Sequence, residues 1–331
     1  MRHRVTITDV AREAGVSIST VSKVVNGRDG IASATSMHVQ EVVRELGYET
    51  SLVARSMRSH RTHVIGVLVA GFEPFSAEIL KGAASALAET DYELLAYTEA
   101  RRSVGAGWER RYLSRLSGSL IDGALIVTPS VVDADAGIPI VTIDPHTGPL
   151  GLPSVDSDNF TGAMLATRHL IELGHRRIGF MAGRPGLESS SRREAGFRQA
   201  LTDVGLKVDP ELIRFGNYRR DAVRGPAAEL LSQVDRPTAI FAANDLSALG
   251  TMDAAREMGL DVPGDLSVIG FDDIPEAAAA FPPLTTIRQP IQEMGAAGIT
   301  MLVALMEGKP VEHTHVRLPT LLVLRATTAP L

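Results

Sequence analysis

Up to Leu46 the apolar positions recur with helical spacing. Asp9, Val10, Ala11, Glu13 and Ala14 suit a first short helix, with Thr6 or Thr8 placed to cap it. Gly15 tolerates the positive φ that ends such a helix. Ser17 then opens a second helix through Thr20, Val21, Val24 and Val25. Val21, Val24 and Val25 stand at i, i+3 and i+4 and face one way. Ile18, Ser19, Ser22 and Lys23 face the other way. A third helix is expected from Ala34 to Leu46, with Val39, Val42, Val43 and Leu46 inward, Ser33 or Thr35 as cap and Gly47 as its end. Two short helices with a small, polar and basic outer face have the composition of a helix-turn-helix, whose second helix enters the DNA major groove.

From His63 the pattern changes to short apolar runs separated by helical stretches. Strands are expected at Val64–Val69, Tyr92–Tyr97, Asp122–Val127 and Ile138–Ile143, with helices near Ser76–Glu89 and Trp108–Leu116. The alternation then begins again. Helix 160–173, strand 177–181, helix 192–204, strand 239–242, helix 245–257 and strand 266–271 follow. Residues 284–287 lead into a helix at 292–306, and the last strands lie near 316–324. Strands alternating with helices predict parallel sheets flanked by helices. Two such sheets facing each other make a ligand clamp, because ligands sit at the carboxyl ends of parallel strands.

Charge sharpens this division. Residues 1–61 carry nine Lys/Arg against six Asp/Glu, whereas the whole chain carries 33 against 39. A basic N-terminal part on an acidic body suits contact with DNA at one end. The 331 residues contain no cysteine, which excludes disulfides and thiolate metal sites. The N-terminus lacks the apolar stretch of a signal peptide, and no apolar run approaches the roughly 20 residues of a membrane helix. A cytoplasmic protein is expected. G-x-x-x-x-G-K-[ST], H-E-x-x-H and G-x-S-x-G are all missing, so no enzyme activity, cofactor, catalytic residue or metal site is expected. His175 reads as a turn histidine, since no second ligand follows at metal spacing.

The stretch ITDVAREAGVSISTVSKVVNG resembles the headpiece of the LacI family of bacterial transcription regulators. The matching residues are Thr6, Asp9, Val10, Ala11, Ala14, Gly15, Val16, Ser17, Thr20, Val21, Ser22, Asn26 and Gly27. Lys23 and Val25 depart from the usual Arg and Leu. Further along, HLIELGHRRIGF, ANDLSALG and GFDDIPEAAAAFPPLTTIRQP are similar to signatures of the family's sugar-binding-protein-like core. The resemblance implies an α/β chain: a small all-α helix-turn-helix headpiece, then two doubly wound parallel-sheet subdomains of the periplasmic binding protein type I kind. It implies a headpiece at 1–50, a hinge at 51–61 and a core at 62–331. Within the core, one subdomain takes about 62–159 plus 292–317 and the other about 160–291, with the C-terminal strand crossing back.

The implied function is a sequence-specific regulator, a repressor that binds a palindromic operator as a homodimer and is switched by a sugar-like effector. Ile18, Ser19 and Lys23 are the expected base readers. Ile18 either touches a thymine methyl or belongs to the small core. Ser17, Thr20 and Asn26 are expected on phosphates, with Thr6 and Ser22 completing the DNA-facing set. Ala54, Arg55 and Met57 match the family's linker, in which an apolar side chain is levered into the minor groove. Met57 is either that wedge or a linker residue packed on the core.

For the effector, Arg193 matches the Arg of R-x-x-G-F and Asp272 the first Asp of G-[FY]-D-D. A guanidinium and a carboxylate facing one another can each take two hydroxyls of a polyol. Tyr218 and Phe75 are the expected aromatic walls, and Asp144 and Asn244 are further candidates. Each has a packing alternative: a helix-surface charge for Arg193, a turn for Asp272, core or loop packing for the aromatics. Glu73 stands where the family keeps Asn, which predicts an altered contact on that side. Trp108, Tyr112, Leu113 and Leu116 read as helix packing.

Overall fold

The computed structural model describes residues 5–25, 29–48, 61–98, 107–117, 120–130, 137–148 and 151–331. The chain divides into two compact units, Met1–Thr62 and His63–Leu331.

The first unit holds three helices, α1 (Ile7–Glu13), α2 (Ile18–Val25) and α3 (Ser33–Leu46). Val10, Val21 and Val39, one from each, are fully buried and build the core with Ala11, Ala14, Val24 and Val42. Thr6 caps α1 in a reciprocal capping box: its hydroxyl accepts from the Asp9 amide, and the Asp9 carboxylate accepts from the Thr6 amide. Gly15, at φ +65°, makes the corner between α1 and α2. The Ser17 hydroxyl accepts from the Thr20 amide at 3.1 Å, as expected of a cap. The expected cap of α3 is corrected. The helix starts after Ala32, and no side chain bonds its first turn.

The second unit contains two six-stranded sheets. The first is built from β1 (Val64–Val69), β2 (Glu93–Thr98), β3 (Gly123–Val127), β4 (Ile140–Ile143), β5 (Ser154–Ser157) and β11 (His315–Leu318). Its order is β11-β5-β4-β3-β1-β2, parallel throughout. The second is built from β6 (Ile178–Ala182), β7 (Ile213–Phe215), β8 (Ala239–Ala242), β9 (Ser267–Asp272), β10 (Thr285–Arg288) and β12 (Leu321–Val323). Its order is β12-β10-β9-β8-β6-β7, with β12 antiparallel to β10. Every residue of β1, β3, β6 and β8 is buried, as strands covered on both faces require.

Helices α4 (Pro74–Leu87), α5 (Trp108–Leu116), α6 (Asn159–Glu172), α7 (Glu188–Asp203), α8 (Arg220–Leu231), α9 (Asp245–Glu257), α10 (Pro275–Ala279) and α11 (Ile291–Met306) cover the sheets. The chain passes from one sheet to the other three times: after Ser157, between Arg288 and Ile291, and between Leu318 and Leu321. Helix α11 returns to pack on α4, and β12 returns to the second sheet.

β5, β7, α8 and α10 are elements that the sequence pattern did not announce. Trp108, Leu113 and Leu116 pack with β1 and β3 residues, as their spacing predicted. His175 is buried; its Nδ1 meets Thr238 Oγ1 at 2.9 Å, and its Nε2 meets Ser267 Oγ and Ala329 O, both at 3.1 Å. It ties a turn to the C-terminal tail, and burial holds its pKa below the usual range.

Candidate functional site

The predicted effector residues converge on the carboxyl ends of the two sheets. Asp144 follows β4, Tyr218 follows β7, Asn244 follows β8 and Asp272 closes β9. Arg193 lies inside α7, which starts at Glu188, earlier than the sequence pattern placed it. The residue is 4% exposed. The Nε donates to Asn159 Oδ1 at 2.7 Å, and Nη1 donates to the Ala243 carbonyl and, at 3.4 Å, to Asp272 Oδ1. Its flat face covers the Phe271 ring at 3.8 Å. Arg193 is therefore no helix-surface charge.

Asp272 receives a second bond, from Gln289 Nε2 at 2.6 Å. The Ser157 hydroxyl donates to Gln289 Oε1, and Asn159 Nδ2 donates to the Ser157 carbonyl at 3.1 Å. The result is a closed circuit: Ser157, Gln289, Asp272, Arg193, Asn159. It joins the end of β5 in the first sheet to the end of β9 in the second, at two of the three crossings. Burial pushes the Asp272 carboxyl up to about 6, against the pull of Arg193 and Gln289. Burial also raises Asp144, with Arg193 and then Ser189 opposing it.

The backbone is strained at the same strand ends. Thr128, Asp144, Tyr218, Asp272 and Asp273 all have φ between +46° and +120°. Such conformations cost about 1–3 kcal/mol each in non-glycine residues and cluster where ligands bind. Tyr218 lies against Gly183, where a Cβ would collide with its ring, and within 5.8 Å of the Arg193 guanidinium. Its hydroxyl is buried without a hydrogen-bond partner. Burial raises its pKa.

Two expected contacts have other occupations. Asn244 caps α9, accepting from the Ser247 amide at 3.0 Å and donating to the Tyr218 carbonyl at 3.3 Å. It holds Tyr218 in place. Phe75 is half-buried and packs against the core of the first sheet. Glu73 is exposed at the start of α4, where its charge reaches Arg219. Asn159, Gln289 and Ser157 were not singled out from the sequence, although Gln289 lies inside the quoted RQP motif.

On the headpiece, Thr6, Ser17, Ile18, Ser19 and Lys23 are exposed, with Thr20 and Ser22 half-buried. Ile18, at 46% exposure, is outside the small core. The Thr6 hydroxyl is engaged with Asp9 at 2.6 Å. Asn26, Ala54, Arg55 and Met57 lie outside the described residues. Among the described residues, no group of three or more His, Asp or Glu could hold a metal, and no helix is long and apolar enough to cross a membrane.

Comparison with known proteins agrees with this fold. Residues 6–51 match the model described as bacterial regulatory proteins, lacI family, and residues 167–328 match the periplasmic binding protein-like domain. The transcriptional regulator CelR of Thermobifida fusca is 35% identical over 98% of both chains. The repressor PurR of Aliivibrio salmonicida (strain LFI1238) is 34% identical over 92% of this chain and 93% of its own. The lac repressor dimer bound to operator and the anti-inducer ONPF superposes with a TM-score of 0.85 at 29% identity, covering 99% of this chain and all of that one. A CelR–cellobiose complex gives 0.73 at 33% identity, covering 98% of this chain and all of that one. These relatives are transcriptional regulators rather than enzymes. The chain belongs to the LacI family of bacterial regulatory proteins.

Proposed function

We propose that the protein is a repressor that binds a palindromic operator as a homodimer and is switched by a carbohydrate effector held at the facing strand ends. The observation that carries this reading is the buried Arg193–Asp272 pair within a circuit that spans both sheets. A buried ion pair is weak evidence for stability alone, and these two groups also sit beside strained backbone and an unpartnered tyrosine hydroxyl. A polyol that exchanges bonds with Arg193 and Asp272 alters the circuit at two crossings and so the relation of the two sheets. Domain rotation of this kind couples a ligand site to a distant one. The linkers at 51–61 carry the change to the headpieces, with Ala54, Arg55 and Met57 in the minor groove.

In the first unit, Ser17, Ile18, Ser19 and Lys23 present an exposed surface at the start and outer face of α2. Lys23 and Ser19 read base edges and Ile18 a thymine methyl, while Thr6, Ser17, Thr20, Ser22 and Asn26 fix the helix on the backbone. The test is a mobility-shift titration with duplex from the flanking genomic sequence. Lys23→Ala is expected to weaken the operator complex by about 1–3 kcal/mol, with a far smaller loss on random DNA. Equal losses on both would make Lys23 a phosphate contact, and no shift by the parent protein at low salt would end the operator reading.

A further inference from the structure

Four buried side-chain atoms among the described residues have no hydrogen-bond partner: Glu109 Oε2, His146 Nε2, Tyr218 Oη and Ser247 Oγ. All four lie on one side of the fold. His146 and Tyr218 follow strands β4 and β7, and Glu109 and Ser247 occupy the first turns of helices that follow β2 and β8. Buried polar atoms left unpaired are few in folded proteins and each one needs a reason. Their confinement to the strand-end face gathers free polar groups where ligands of parallel sheets bind.

Two of the four, Glu109 Oε2 and His146 Nε2, belong to residues outside the Arg193–Asp272 circuit, and the Glu109 charge acts on the His146 imidazole. Glu109 is fully buried, with a relative exposure of 0%. Its Oε1 accepts from the amide of Ser130 at 2.7 Å and from the Ser130 hydroxyl at 2.8 Å, while Oε2 accepts nothing. The His146 amide donates to the Pro129 carbonyl at 3.0 Å, which joins its loop to the one that holds Glu109. The His146 carbonyl accepts from the Glu188 amide at 2.8 Å, at the start of the helix that carries Arg193. Glu109, Ser130 and His146 are thus first-sheet residues fastened to the second-sheet half of the site.

We infer that Glu109 and His146 form a second subsite for the effector, taking a hydroxyl of a saccharide that donates to Glu109 Oε2 and accepts from His146 Nε2. A hydroxyl is the group that fits, because it donates and accepts from one atom. The pair faces the ligand from the first sheet while Arg193 and Asp272 face it from the second, so one saccharide holds both sheets. The imidazole supports this division of roles. Burial first, then the nearby Arg184 charge, takes His146 down to about 4, so at neutral pH it is uncharged. A neutral imidazole donates from one nitrogen without adding a second cation beside Arg184.

This inference rests on the effector reading above, and its test separates the two. The full-length protein is titrated with neutral saccharides, cellobiose and ribose among them, by calorimetry and thermal shift. Glu109→Gln, His146→Ala and Arg193→Lys are compared with the parent. Glu109→Gln keeps an acceptor for Ser130 and replaces the unpaired oxygen by a donor. It is expected to leave the ligand-free melting temperature unchanged or raised, since the substitution removes a buried carboxyl oxygen that accepts no hydrogen bond. It is expected to weaken the best-binding saccharide about tenfold or more, the usual cost of leaving a buried polar group without its partner. His146→Ala is expected to act in the same direction. A deoxy analogue lacking the contacting hydroxyl is expected to bind parent and Glu109→Gln equally.

If only Arg193→Lys loses affinity, the subsite is wrong, the two orphan atoms hold water, and the strand-end site survives. A ligand-free Glu109→Gln protein that melts several degrees lower has lost a structural residue, which also overturns the subsite. If Arg193→Lys binds as the parent does, or no saccharide binds the parent, the effector reading fails and the subsite with it.

Discussion

At the scale of single residues, the carboxyl-rich face of the second sheet sets a pH dependence. Asp245 is fully buried; its Oδ1 accepts from the Thr286 hydroxyl at 2.5 Å and its Oδ2 from the Ile274 amide at 2.9 Å. Burial, and next the Asp272 charge, pushes its pKa well above the usual carboxylate value. Asp272 itself is pushed from 3.8 to about 6. A carboxyl whose pKa is raised by folding binds its proton more tightly in the native state. Its cost to stability is therefore absent below 3.8, grows as pH rises, and is complete above about 6 for Asp272. Asp245→Asn keeps both bonds, with the amide nitrogen donating to Thr286. Its melting temperature relative to the parent is expected to climb as pH rises above 3.8, by about 2–4 °C for each kcal/mol relieved. Thermal melts at a series of pH values test this, and a constant difference would show that the pair does not titrate together. Arg193 and Asp272 were legible as residues because their motifs are local in sequence. Glu109, His146 and Gln289 were not, since what marks them is a missing or shared partner across the fold.

At the scale of elements, the helices that pack most closely do so through glycine. Gly82 in α4 faces the Gln292 carbonyl and Gly295 in α11 faces the Ile79 carbonyl, with no room for a Cβ at either place. Gly82→Ala is expected to lower the urea midpoint, at a cost of about 1–3 kcal/mol for overpacking, although alanine is the better helix former. An unchanged midpoint would mean that the two helices part freely. The elements missed from sequence have related causes. β5 reads Ser-Val-Asp-Ser, polar enough to pass for a loop. It becomes a buried strand because β11 brings Arg317 to Asp156 in two 2.9 Å bonds and His315 to Ser154 at 2.9 Å. Helix α8 contains Gly225-Pro226, which breaks a helical pattern on paper. Packing of Val223, Ala227, Leu230 and Leu231 into the second core keeps it helical.

Considered as a whole molecule, the chain pairs a small helix-turn-helix head with a two-sheet body, and the proposed two-fold operator needs two such heads. Sedimentation at micromolar concentration is expected to give a dimer, and a stable monomer would count against repressor action. The amino-acid sequence alone determined the division into a helical head and an α/β body, the exposed face of α2, and the family. These follow from spacing, since apolar periodicity and short motifs are properties of neighbouring residues. Only the tertiary structure decided which groups share a site. The three crossings bring Ser157, Asn159, Arg193, Asp272 and Gln289 into one hydrogen-bonded circuit, and the fold leaves the atoms Glu109 Oε2 and His146 Nε2 buried without partners. Satisfaction of a buried polar atom depends on what the fold sets against it, and no spacing along the chain carries that information.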